Sequence, residues 1–193
     1  MTVKVFVEGK ADKKFIIDYL THLNSSYPDN FKILKTRGWK NLPQLDNEFE
    51  ENTNDNGIIL VIFDSNNDPE QRRTDILRNK DNLGINFELF LLPNNQTAGN
   101  LESLLSNIIN PNHKKIFDCF EEYETCLGND PQYRIPSLKT KIYAYQDTLL
   151  SKKNSYMAKE ESRDYRNSDH WNLDNKYLEP LRKFLSSHFQ PNQ

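Results

Sequence analysis

Four carboxylates in the first half of this 193-residue sequence have the type and spacing to act together: Glu8, Asp12, Asp64 and Glu102. Glu8 closes the apolar run Val3, Val5, Phe6, Val7, and Asp64 closes the run Ile58–Phe63. Glu102 follows the apolar run Phe87–Leu92 and the segment Thr97-Ala98-Gly99-Asn100, in the first turn of a helix that starts at Leu101. Asp12 lies one helical turn beyond Glu8. If the runs are parallel strands, their C-terminal ends share one edge of the sheet, where open α/β sheets build their sites. Acids gathered there repel one another, and a bound cation relieves that repulsion. Hard divalent ions such as Mg²⁺ or Mn²⁺ take oxygen ligands, and once bound they polarise a phosphate oxygen and activate water. On the plainer reading each acid acts only locally. Glu8 ends a turn, and Asp12 and Glu102 favour helix starts.

The elements that would position these acids follow from hydrophobic periodicity. Val3–Val7 reads as a buried strand, and Ala11–Leu20 as a helix with Phe15, Ile16, Tyr19 and Leu20 on one stripe. Residues 24–30 are loop by composition, Phe31–Leu34 a second strand, Leu42–Phe49 a second helix, and 52–57 a turn. Ile58–Phe63 is apolar without alternation, as expected of a central strand covered on both faces. Glu70–Asn79 reads as a charged surface helix begun by Pro69, and Phe87–Leu92 as a fourth strand closed by Pro93. Strands alternating with helices imply a parallel sheet with right-handed crossovers. From residue 111 the pattern turns helical: Ile116–Leu127, Leu138–Leu150 and Tyr177–Phe189, with 154–174 polar and irregular. The expected organisation is an α/β core over 1–110 and a helical C-terminal extension over 111–193 packed on the same domain.

Composition narrows the chemistry. The formal charge of −3 provides no general basic field, so nucleic acid would have to be held by local Lys and Arg or by bridging metal ions. No apolar run approaches the roughly 20 residues of a membrane span, and the N-terminus does not resemble a signal peptide. Cys119 and Cys126 lack metal-site spacing and read as free thiols of a cytoplasmic protein. His22, His113, His170 and His188 are scattered, which leaves no zinc cluster. There is also no glycine-rich phosphate cradle and no nucleophile elbow.

The strand ending Val7-Glu8-Gly9, with Asp12 and Phe15 after it, resembles the opening motif of the Toprim domain of topoisomerases, bacterial primases, recombination-mediator proteins and OLD-family nucleases. The second motif of that domain is an apolar strand ending in Asp-x-Asp, and Ile58–Phe63 runs into Asp64-Ser65-Asn66. Thr97-Ala98-Gly99-Asn100-Leu101-Glu102 resembles a Gly-x-Leu-Glu element of small stand-alone Toprim-like proteins and OLD nucleases. The likeness covers roughly residues 1–150. It implies a Toprim-like four-stranded parallel sheet flanked by helices, with Mg²⁺ or Mn²⁺ held by Glu8, Asp12, Asp64 and Glu102. It also implies that Glu8 acts as ligand or general acid/base, and that Lys139 or Lys141 stands near the metals. The sequence departs from the motif at Asn66, whose amide oxygen can coordinate but brings no negative charge. Asp68, two residues on, is the substitute ligand if the turn bends suitably.

The function this resemblance implies is metal-dependent cleavage of nucleic-acid phosphodiesters, DNA rather than RNA. Glu8, Asp64 and Lys141 (or Lys139) would be catalytic, the lysine neutralising charge on phosphate oxygens. Arg37 and Lys40 would steer the strand, and Trp39, Tyr143 or Trp171 would offer stacking surfaces or else pack into the core. OLD nucleases carry an ATPase in the same chain; no Walker-type loop occurs here, so an ATPase would be a separate partner. One alternative is a non-catalytic nucleic-acid-binding or regulatory module of the same shape. A nucleotidyl-transfer enzyme is a third class, against which stands the lack of an evident second domain for primer or template.

Overall fold

The computed structural model describes residues 2–23, 30–45, 47–49 and 57–189. Four apolar segments form the strands β1 (Thr2–Val7), β2 (Asn30–Lys35), β3 (Ile58–Asp64) and β4 (Glu88–Leu92). They pair in the order β2-β1-β3-β4, all parallel, with Val5 between Ile33 and Leu60 and Ile62 opposite Phe90. Helices α1 (Lys10–His22), α2 (Pro69–Leu83) and α3 (Leu101–Asn107) follow β1, β3 and β4. The C-terminal part adds α4 (Lys114–Gly128), α5 (Leu138–Leu149) and α6 (Glu179–Ser186). The chain is therefore α/β, a four-stranded parallel sheet flanked by helices.

Both faces of the sheet are covered, which is why its strands do not alternate apolar with polar residues. Val3, Val5, Val7, Leu60, Ile62, Phe90 and Leu92 pack on one face with α1, α3, α5 and α6. Phe6, Ile59, Val61, Phe63 and Leu91 pack on the other with Leu42, Phe49, Ile76 of α2 and Phe87. The first cluster takes in residues from Val3 to Phe189, so the C-terminal helices complete one face of the sheet.

Two elements differ from the sequence expectation, and a third, irregular as expected, is more buried than its polarity suggests. In place of a helix over Leu42–Phe49 there is a 3-10 segment, Trp39–Leu45, with a helical turn at 47–49. Pro43 lies inside that segment and cannot donate to an α-helical ladder. The final helix is split at Pro180: a 3-10 turn, Lys176–Leu178, precedes α6, because proline suits only the first turn of a helix. The stretch 154–174 is irregular but well buried in places, contributing Ala158, Arg163, Tyr165, His170 and Trp171 to the interior. The loops expected over 24–30 and 52–57 lie outside the described residues except at their last positions.

Strand order fixes where a site can form. From β1 the chain moves to one side, into β2, and then crosses back to the other side, into β3. The loops leaving β1 and β3 diverge although their ends are neighbours, with Val7 paired to Ile62. Such a switch point leaves a crevice at the carboxyl ends of the strands. Glu8 and Asp64 stand on its two sides.

A candidate metal centre at the switch point

Glu8, Asp12, Asp64 and Glu102 line one cleft of about 590 Å³, together with Lys10, Arg37, Lys139 and Glu160. Each acid is set there by local structure. Gly9 precedes α1, and its N–H donates to Asp12 Oδ2 at 2.7 Å, which ties the start of the helix to the end of β1. Asp64 N–H donates to Glu8 Oε1 at 3.1 Å, joining the ends of β1 and β3. Asp64 Oδ1 in turn accepts from Leu101 N–H at 3.1 Å, at the first turn of α3. Asn100 caps that helix: its Oδ1 accepts from Ser103 N–H at 3.0 Å while Ser103 Oγ accepts from Asn100 N–H at 3.2 Å. This bonding brings Glu102 to the cleft.

The segment before α3 is held to the end of β3 by Ser65, which is buried. Its hydroxyl donates to Thr97 O and Gly99 O, at 2.9 and 3.2 Å. Asn66 and Gly99 exchange backbone bonds of 2.8 and 2.7 Å. Gly99 has φ +147, and a Cβ there would stand 2.6 Å from Ser103 Oγ, so no side chain fits.

Burial and like charge shape the protonation of the cluster. Burial first, and then the charges of Asp12, Glu8 and Glu102, push the Asp64 carboxyl up to about 8, against the opposing bond from Leu101 N–H. Asp12 is pushed up to about 6, chiefly by burial, with Glu8 and Glu102 adding to the shift and the Gly9 bond opposing it. Burial also raises Glu8, while the Asp64 N–H bond and the Arg72 charge lower it.

The remaining residues singled out by sequence fall elsewhere. Asn66 is exposed, adopts φ 55 and is not part of the cleft lining. Asp68 is occupied in capping α2, its Oδ1 accepting from Gln71 N–H at 2.9 Å. Lys141 points away from the cleft: its Nζ lies 2.9 Å from Glu121 Oε1 and 3.6 Å from Glu124 Oε2, over the Phe117 and Phe120 rings. Residues two apart on a helix do not share a face, so only one of Lys139 and Lys141 reaches the cleft. That residue is Lys139, paired there with Glu160. Arg37 is at the cleft, Tyr143 is exposed, and Trp171 is buried in the core beside Tyr145 and Tyr165. None of the four histidines lines the cleft.

Sequence reasoning missed Glu160, Lys10 and Arg72. Glu160 and Lys10 line the cleft, and Arg72 acts on Glu8 by charge. No motif marked them, since each reaches the region through tertiary packing.

The donor set suits a hard divalent cation: oxygen ligands, partly buried, crowded by their own charge. Among the described residues no three His, Cys, Asp or Glu side chains already stand together as a ready-made ligand set. Glu8, Asp12 and Asp64 each give an oxygen to a backbone N–H instead. An ion that drew them together would compete with those bonds. No helix among the described residues is long and apolar enough to cross a membrane. A family model described as "Protein of unknown function (DUF3226)" matches residues 2–190. No curated protein and no solved structure matches the chain.

Proposed function

The chain belongs to the DUF3226 family, a family of proteins of unknown function, and we propose that it hydrolyses nucleic-acid phosphodiester bonds with a divalent cation, Mg²⁺ or Mn²⁺. One observation carries this reading. Glu8, Asp12, Asp64 and Glu102, from three separate segments, meet in one cleft at the switch point of a parallel sheet, where burial and their own repulsion raise the Asp64 carboxyl to about 8. The likeness of the segments around Glu8, Asp64 and Glu102 to Toprim motifs supports it.

These four carboxylates would hold the ion. When bound, it supplies Lewis-acid polarisation of a phosphate oxygen and a more acidic water. Glu8, raised by burial, would serve either as one of those ligands or, left free of the ion, as the general acid/base. Lys139 neutralises negative charge on the phosphate by leaving Glu160. DNA rather than RNA is the substrate favoured by the resemblance, and any ATPase would act as a separate partner.

Thermal melting with Mg²⁺ or Mn²⁺ tests the metal site. An ion at a hundred times its Kd adds about 2.7 kcal/mol, or roughly 5–10 °C for a chain of this size. Glu8→Gln, which keeps an oxygen for the Asp64 N–H, should abolish that shift. Nicking of supercoiled plasmid in the presence of the ion, lost in Asp64→Asn, is the expected activity. The displacement of Asn66 and Asp68 from the cleft favours a second reading, a binding module without turnover. A metal-dependent shift accompanied by no cleavage of DNA or RNA would select that second reading.

A further inference from the structure

We propose that Arg37, Lys40 and Arg72 form a phosphate-binding rim that holds one polynucleotide strand and feeds it to the acidic cleft; the identity of the polymer rests on the hydrolase reading above.

The rim is marked by three cations gathered beside the cleft with no carboxylate paired to them among the described residues. Other basic side chains near the cleft are paired, Lys10 with Glu161 and Lys139 with Glu160. Arg37, Lys40 and Arg72 have no such partner among the described residues. The Arg72 guanidinium lies 5.0 Å from the centre of the Trp39 ring, and Lys40 Nζ lies 5.9 Å from the same centre. Trp39 thus gathers two cations on one plate. It also packs against the core cluster on that face of the sheet, which fixes the plate to the fold.

Arg37 joins this plate to the cleft. Its side chain is exposed and lines the cleft, while its backbone is held in the left-handed region at φ 58. Arg37 N–H donates to Glu8 O at 3.0 Å, and Asn41 Nδ2 donates to Arg37 O at 2.9 Å. A non-glycine residue adopts that region only at a cost in strain, and the two bonds keep it there.

The charge pattern suits a polyanion and orients it. The acids repel phosphates from the cleft floor unless a cation intervenes, and the rim attracts them beside it, so a strand lies on the rim with one phosphate at the cleft. A volume of about 590 Å³ is that of a small-ligand pocket and admits part of one strand, not a duplex. Because cations occupy the Trp39 face, contacts go to phosphates and carry no base preference.

The test is fluorescence anisotropy of a labelled oligothymidylate in EDTA, over a range of salt concentrations. Three contacts to a single strand predict a slope of log Kd on log [salt] of about 2. Arg37→Gln/Arg72→Gln should lower it to about 0.7 and weaken binding, while keeping the Mg²⁺-dependent rise in melting temperature. Arg37→Glu alone, at an exposed position, should weaken binding even if the double variant fails to fold. Wild-type affinity and slope in Arg37→Glu would overturn the rim, as would tighter binding of a duplex than of the single strand. If the rim variants lose binding but the wild type shows no response to Mg²⁺, the rim stands and the hydrolase reading falls.

Discussion

Replacing Asp64 with Asn should make the metal-free protein more stable at pH 8. The Asp64 carboxyl is raised from 3.8 to about 8 in the folded state. At ~1.4 kcal/mol per unit, a shift of roughly four units sets a ceiling on the order of 5 kcal/mol, part of it shared with Asp12, Glu8 and Glu102. The sign follows from proton counting. Between pH 4 and pH 8 the unfolded chain has lost a proton from Asp64 that the folded protein keeps, so stability falls as pH rises through that window. Asp12, raised to about 6, adds a second proton of the same sign between about pH 4 and pH 6. Asparagine retains the oxygen that accepts from Leu101 N–H and removes the titration. Urea unfolding in EDTA should show Asp64→Asn and the wild type close together near pH 4. At pH 8 the variant should lead by several kcal/mol, with one proton less of pH dependence. Mg²⁺ at pH 8 should narrow the gap by stabilising the wild type alone. A variant no more stable than wild type at pH 8, with an unchanged pH slope, would refute the claim that burial and mutual repulsion strain the cluster.

Two further outcomes are expected. Lys141→Met should change stability by about 1 kcal/mol, because it removes a pair with exposed Glu121, and should leave plasmid nicking unaffected; Lys139→Met should do the reverse, as rates and melting temperatures will show. Gly99→Ala should lower stability by about 2 kcal/mol or more in urea titrations, since φ is +147 and the new Cβ meets Ser103 Oγ.

The sheet and three corners of the cleft were legible in the sequence for one reason. An unbroken apolar run bounded by turn residues fits a buried strand, and the residue that ends such a strand stands at the sheet edge. Val3–Val7 and Ile58–Phe63 therefore located Glu8 and Asp64, and the restart of helical pattern at Leu101 located Glu102. What lay further along the same loops could not be read that way. Asn66 and Asp68 differ from Asp64 by two and four residues, yet Asn66 is turned out by a backbone pairing with Gly99 and Asp68 is used to start α2. The choice between Lys139 and Lys141 depended on what α5 packs against: Lys141 is drawn to Glu121 and Glu124 of α4, and Lys139 to Glu160 at the cleft. Glu160 comes from a stretch with no periodicity. It is delivered by tertiary anchors such as Tyr165, whose N–H donates to Asp18 Oδ2 at 3.0 Å on α1.

The structural and chemical readings of the acids are not rivals in this fold. Asp12 does tie down the start of α1, as the plainer reading expects, and Asp64 holds the start of α3, which that reading did not assign to it. Those same bonds fix where each carboxylate stands, at the start of helices that line the cleft. Burial then makes charge unfavourable for groups that the local bonds prevent from moving apart. A cluster held in that condition gains from a divalent cation in a way that scattered capping acids do not. The bonds that a purely structural account would cite thus keep the acids in one buried cleft, and an ion there, as proposed, would have to exchange some of them for its own coordination.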